Sequence, residues 1–251
     1  MQLVVLGSGT CAPTLKRSTA CYYVHISGQH ILMDIGFGSI RRMLEAGIDY
    51  REIDFIVITH THLDHVGDLA PLVMALRYTP GFKRQKPLTL VGPLGFNDYL
   101  HNFSDLAAKW FFKQDGFQVN VREAEREQLQ FANWKLTTLP MRHSDVANGY
   151  RIESEGRVLA YSGDTGMCDE VISLVKKADV AILECSTPDD EPLDGHLTPA
   201  LAGQIAEQGN CRKVLLSHFY PMMENVDVVG IARKYFHGEI EAAEDFKKHS
   251  V

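Results

Sequence analysis

No apolar run in the 251 residues is long enough to cross a bilayer, and no repeat or low-complexity segment interrupts them. The opening stretch MQLVVLGSGT lacks both a basic start and a signal-length apolar run, so no export signal is expected. Cysteine is sparse. Five residues (Cys11, Cys21, Cys168, Cys185, Cys211) at irregular spacing argue against a disulfide framework, and for free thiols in a reducing cytoplasm. Positive charge is also short: 25 Lys plus Arg against 32 Asp plus Glu leave a net charge of −7. That balance argues against a broad nucleic-acid-binding surface and leaves room only for a local basic groove.

What is present is an alternation of apolar strands and amphipathic helices without a linker, as expected of one α/β domain over residues 1–251. QLVVLG, TACYYVHI, HILMDI, DFIVIT and LTLVGP read as strands of a first half, with helices over 39–47, 67–78 and about 96–110. The second half takes FQVNVRE, WKLTTLPMRH, GYRIES, RVLAYSGD, VAILEC, KVLLSH and EIEAA as strands, with helices over 168–177, 199–208 and 228–236. Two such halves suggest two packed sheets with helices outside.

The chemistry gathers after the strands. VITHTHLDHVGD places His60, His62, Asp64 and His65 directly behind the apolar run FIVI. Three imidazoles and a carboxylate at that density are costly to bury unless a cation collects them. His143 follows a later strand in PMRHS, Asp164 another in AYSGDTG, and His218 a third in LLSHFYP, giving seven ligand-type side chains on loops at strand ends. Asp164 alone could equally cap the helix that follows it. His25, His30, His101, His237 and His249 fit no such pattern and read as structural or exposed.

THTHLDH, with the later His143, the SGDT block and His218, resembles the metallo-β-lactamase superfamily over essentially the whole chain. The resemblance implies a four-layer αββα sandwich of the α/β (α+β) class with two metals at one edge. On it, His60, His62 and His143 would hold the first metal, Asp64, His65 and His218 the second, and Asp164 would bridge them. Two Zn²⁺ ions are the implied cofactors, with Mn²⁺ or Fe as alternatives, and a hydroxide between them as nucleophile. True β-lactamases of this superfamily carry a Cys where this chain has Asp, so SGDT points to hydrolases of esters and phosphodiesters.

LGSGTCAPTLKRSTACYYV and LECST…GHLTPALAGQIA resemble the ribonuclease Z-like branch, which trims transfer-RNA 3′ ends. There a Glu orients a His that protonates the leaving oxygen, which implies Glu184 and His196 as catalytic partners beside Asp64. The chain departs from that branch in three places. The long arm that grips transfer RNA is absent between His143 and Asp164, where residues 144–163 allow only one hairpin; Leu183 stands where the branch often has His; and HFYPMME lacks the Arg expected after the last ligand. The implied activity is a phosphodiesterase acting on a small nucleotide or an RNA 3′ end, as a homodimer away from membranes. A thioester or lactone hydrolase and a non-catalytic metal-holding regulator are the alternatives. Lys16, Arg17, Lys83 and Arg84 are expected to form a positive rim that attracts phosphate.

Overall fold

The computed structural model describes residues 1–113, 116–143 and 146–251. Strands β1 (Gln2–Gly7), β2 (Cys21–Ile26) and β3 (Gln29–Met33) form an antiparallel meander. β4 (Phe55–Val57), β5 (Leu88–Gly92) and β6 (Val119–Glu123) extend it in parallel. Their connections carry helices α1 (Ser39–Glu45), α2 (Leu63–Val66), α3 (Leu69–Tyr78) and α4 (Phe96–Ala107). The second sheet runs from β7 (Gln128–Gln130) through β8 (Lys135–Pro140), β9 (Asn148–Ser154) and β10 (Arg157–Tyr161) as antiparallel neighbours. It continues in parallel through β11 (Val180–Glu184), β12 (Lys213–Ser217) and β13 (Glu239–Ala242), connected by α5 (Asp169–Val175), α6 (Pro199–Gly209) and α7 (Val228–Ala232).

Side-chain alternation along the strands builds the layers. Leu3, Val5, Tyr22, Val24, Ile31 and Met33 point from the first sheet into a cluster shared with Leu136, Tyr150, Ile152, Leu159 and Ile182 of the second. The intervening residues point the other way. Val4, Leu6, Leu32, Ile56 and Leu90 meet Met43 of α1, Leu72 and Val73 of α3 and Leu100 of α4. Ala160, Ala181, Leu183 and Val214 meet Leu174 of α5, Ile205 of α6 and Ala232 of α7. Both faces of each sheet are therefore apolar, which is why the strands read as continuous hydrophobic runs. The result is the αββα sandwich.

Four elements differ from the sequence reading, one of them the short strand β7, which it did not contain. FQVNVRE joins the first sheet rather than the second: α4 is the crossover that returns the chain parallel to β5, so β6 completes a βαβ unit. A short strand β14 (Lys248–Ser250) pairs with β1 and closes that sheet's other edge. The helix expected over 67–78 begins earlier as two pieces, so Asp64 and His65 stand on the single turn α2 instead of a loop.

Candidate metal centre

Because β3, β4 and β5 are parallel and β10, β11 and β12 are parallel, their C-terminal ends open on common edges of the two sheets. β4 delivers His60 and His62, β8 delivers His143, β10 delivers Asp164 and β12 delivers His218. All seven expected side chains meet there in two sets: His60, His62 and His143 with Asp164, and Asp64, His65 and His218. Within each set the candidate ligand atoms lie within 4.8 Å of one another.

Asp164 joins the sets. Its Oδ2 lies 3.8 Å from His60 Nε2 and 4.0 Å from His143 Nε2, while its Oδ1 lies 3.4 Å from His65 Nε2 and 3.3 Å from His218 Nε2. Oδ1 is buried yet makes no hydrogen bond of good geometry among the described residues. Ring nitrogens crowd one another, His60 Nε2 against His62 Nδ1 at 2.9 Å and His65 Nε2 against His218 Nε2 at 3.2 Å. An orphaned buried carboxylate oxygen amid converging imidazole nitrogens is what a cation site requires, so the residues present fit metal ions.

The electrostatics agree. Burial pushes Asp164 up, but the surrounding imidazoles of His218, His65 and His60 outweigh it and hold the carboxyl well below its usual range. Burial pushes His60 and His143 down, toward the neutral form that ligates. Burial also opposes charge on His65, yet the carboxylates of Asp164 and Asp34 raise it well above the imidazole value, so positive charge is favoured between those two carboxylates. Asp64 is lowered: burial raises it, and His218 and His65 prevail.

The outer ring nitrogens have partners of their own. Thr59 Oγ1 lies 3.0 Å from His60 Nδ1, Asp34 Oδ2 2.8 Å from His65 Nδ1 and the Gly195 carbonyl oxygen 3.1 Å from His143 Nδ1. Such partners orient each imidazole and fix its tautomer. Asp34 also accepts from Thr59 N at 2.7 Å and from the Tyr161 hydroxyl at 2.6 Å. Asp34 and His218 both adopt left-handed backbone, φ 57° and 58°, a conformation costly for residues with a Cβ and found where function demands it. Sequence reading missed Asp34, whose only signal is a polar residue after an apolar strand.

Behind the second set lies a hydrogen-bonded chain. Glu184 Oε1 lies 3.0 Å from His196 Nδ1 and accepts from Thr165 N at 2.6 Å. The Ser186 hydroxyl donates to Glu184 Oε2 and stands 3.1 Å from His218 Nδ1. Thr198 caps α6 by accepting from Leu201 N, with Pro199 at the first helical position, which fixes the segment bearing His196. His196 also joins Asp164 and His218 in a further grouping of candidate ligand atoms within 4.8 Å.

The expected basic rim is half corrected. Arg84 is buried, and its guanidinium donates to the carbonyl oxygens of Arg51, Ile53, Lys86 and Pro87, so it ties a loop and cannot meet substrate. It and Lys83 precede the N-terminal end of β5, whereas the histidines follow the C-terminal end of β4, parallel to β5, so both basic residues lie at the opposite edge of the sheet. Lys16 and Arg17 do reach the site's neighbourhood, lining a cleft with Phe219 and Tyr220 immediately after His218. A feature absent from the sequence reading is a set of exposed apolar side chains. Exposed Leu15, Phe37, Leu63, Val146, Leu193 and Met222 each sit on a separate segment leaving this edge of the sandwich.

The family described as Beta-lactamase superfamily domain matches residues 29–219. A ribonuclease Z of Clostridium tetani is 26% identical, covering 90% of this chain and 90% of its own. A ribonuclease Z of Methanothermobacter thermautotrophicus is 23% identical over 98% of this chain and 95% of its own. Among solved structures, a metallo-beta-lactamase fold protein from Bacillus subtilis superposes with TM-score 0.84 at 20% identity, covering 99% of this chain and 98% of its own. The short form of human tRNase Z superposes with TM-score 0.80 at 22% identity, covering 100% and 99%.

Proposed function

The chain belongs to the beta-lactamase superfamily, and from that membership we propose that it is a ribonuclease Z-like, metal-dependent phosphodiesterase acting on small nucleotides or on an RNA 3′ end. The observation that carries the reading is Asp164, one carboxylate whose two oxygens face two separate sets of imidazoles.

His60, His62 and His143 would hold one metal ion, Asp64, His65 and His218 the other, and Asp164 both. Zinc suits this nitrogen and carboxylate set. Bound there, two divalent cations supply Lewis-acid polarisation of the phosphoryl group and neutralise its developing charge. The chain's own residues do the rest. Glu184 accepts from His196 Nδ1, which leaves Nε2 to present a proton to the leaving oxygen. Burial disfavours a charged His196, but its hydrogen bond and attraction to Glu184 prevail, so its pKa is raised and the protonated form extends to higher pH. Asp64, a member of the second set that His218 and His65 hold toward the ionised form, would also accept a proton there.

A small substrate fits the mouth better than a long polyanion. Asp189, Asp190, Glu191 and Asp194 crowd the segment between Glu184 and His196. Two of the nearby cations are engaged: Arg142 meets Asp194 at 2.5 Å, and Lys16 meets Glu224 at 3.7 Å. Tight binding of long RNA needs many phosphates neutralised by free Lys or Arg. Free thiols at all five cysteines suit a cytoplasmic location.

The test is turnover by the zinc-loaded protein of bis(p-nitrophenyl) phosphate against a thioester and a lactone. The phosphodiester should be hydrolysed best, with activity lost on chelation and restored by zinc. Faster thioester or lactone cleavage would move the reaction class, and no turnover of any would favour a metal-holding regulator.

A further inference from the structure

We infer that the cleft beside His218 is a subsite for one planar heteroaromatic ring of the nucleobase class, carried by the non-leaving side of the phosphodiester; this rests on the hydrolase reading above. The cleft measures about 170 Å³, too small for a whole drug-sized ligand and suited to a single ring. Its inner walls are apolar, from Met223, Val226, Val228 and Ala242. Its position is set by Tyr220, which lines the cleft and also stands edge-on to His196 and His218, with ring centroids 6.3 and 6.4 Å away. A group seated there is one aromatic ring away from both the proposed proton donor and a proposed metal ligand.

The polar atoms distinguish a heteroaromatic ring from a hydrocarbon one. Arg17 lies 4.4 Å over the Phe219 ring and donates through one nitrogen to Ser8 Oγ at 2.5 Å and to the Ala243 carbonyl oxygen at 2.6 Å. Its guanidinium is thereby fixed as a flat plate, and its other N–H groups have no partner among the described residues. A ring bearing carbonyl oxygens or ring nitrogens at its edge can accept from those groups, and its faces can rest on the apolar walls. Lys16 and Glu224 also line the cleft but meet each other at 3.7 Å, so the charge the cleft offers the ring and its phosphate is that of Arg17. A bare alkyl or lipid chain would leave the guanidinium edge unmatched.

The test compares two substrates of the zinc-loaded protein that share one leaving group: thymidine 5′-(p-nitrophenyl) phosphate and methyl p-nitrophenyl phosphate. The thymidine ester should show kcat/KM higher by on the order of tenfold, as one stacked base provides. Val226→Trp and Thr14→Trp, two further lining positions, should each collapse that ratio toward one by filling the cleft; both positions are only partly buried, so two variants guard against misfolding. In parallel, calorimetry should find thymidine 5′-monophosphate bound on the order of tenfold more tightly than methyl phosphate, a preference both variants remove. If neither ester is hydrolysed but this binding preference holds, the subsite stands and the phosphodiesterase reading falls. Equal binding of the two phosphates, or a preference untouched by both variants, overturns the subsite whatever the activity.

Discussion

Ser186 Oγ stands 3.1 Å from His218 Nδ1 while donating its hydrogen to Glu184, and so joins the residue behind the proposed proton donor to a proposed metal ligand. One hydroxyl has one hydrogen and two lone pairs, which matches donating to Glu184 and accepting from His218. Ser186→Ala should lower zinc affinity by about 10–100-fold and reduce turnover, while Ser186→Thr, which keeps the hydroxyl, restores both. Unchanged zinc affinity in the alanine variant would sever the link.

The donor pair carries a pH signature. His196 is raised because its hydrogen bond and attraction to Glu184 outweigh burial, so the protonated form persists to higher pH than in an ordinary imidazole. Turnover of a substrate with an alkoxide leaving group should fall on the alkaline side as that proton is lost. In Glu184→Gln the carboxylate charge is gone, and the fall should move to lower pH. A p-nitrophenolate leaving group needs little protonation and should show a weaker fall. An alkaline limb that stays in place in the variant would remove Glu184 from this role.

Asp34 should behave as a supporter of the site rather than a ligand. It holds His65, Thr59 and Tyr161 together from the first sheet, so Asp34→Ala should weaken zinc binding by about 10–100-fold and destabilise the fold by about 3–5 kcal/mol. Metal titration alongside thermal unfolding reads both. Normal values for each would mean that its hydrogen bonds are dispensable.

Arg84 should separate stability from binding. Arg84→Ala leaves four carbonyl acceptors without their donor and should cost about 2–4 kcal/mol in denaturant unfolding, with KM for an anionic substrate unchanged at low salt. A raised KM in a folded variant would return Arg84 to the substrate path.

The local parts of the site are legible in the sequence because their spacing is local. His60 to His65 lie within one turn and a short helix, so their pattern survives as a string. Glu184 and His196 are legible only through resemblance, since no periodicity brings residues twelve positions apart to 3.0 Å. Asp34 is illegible for a different reason: its partners come from residues 59, 65 and 161, and an Asp after a strand is common in turns. Arg84 is misread because a basic run looks the same whether its guanidinium faces water or a ring of carbonyl oxygens. The strand FQVNVRE shows the same limit in the fold, because sheet membership depends on where α4 crosses over and not on the strand's own residues.

His218 sits at φ 58°, in a backbone region that glycine or asparagine enters with less cost than most residues. Selection for heat resistance alone, with no demand for catalysis, should therefore drift toward Gly or Asn at this position and leave a sturdier protein without its last imidazole. Any programme to harden this scaffold must hold position 218 fixed, because there durability and chemistry pull in opposite directions.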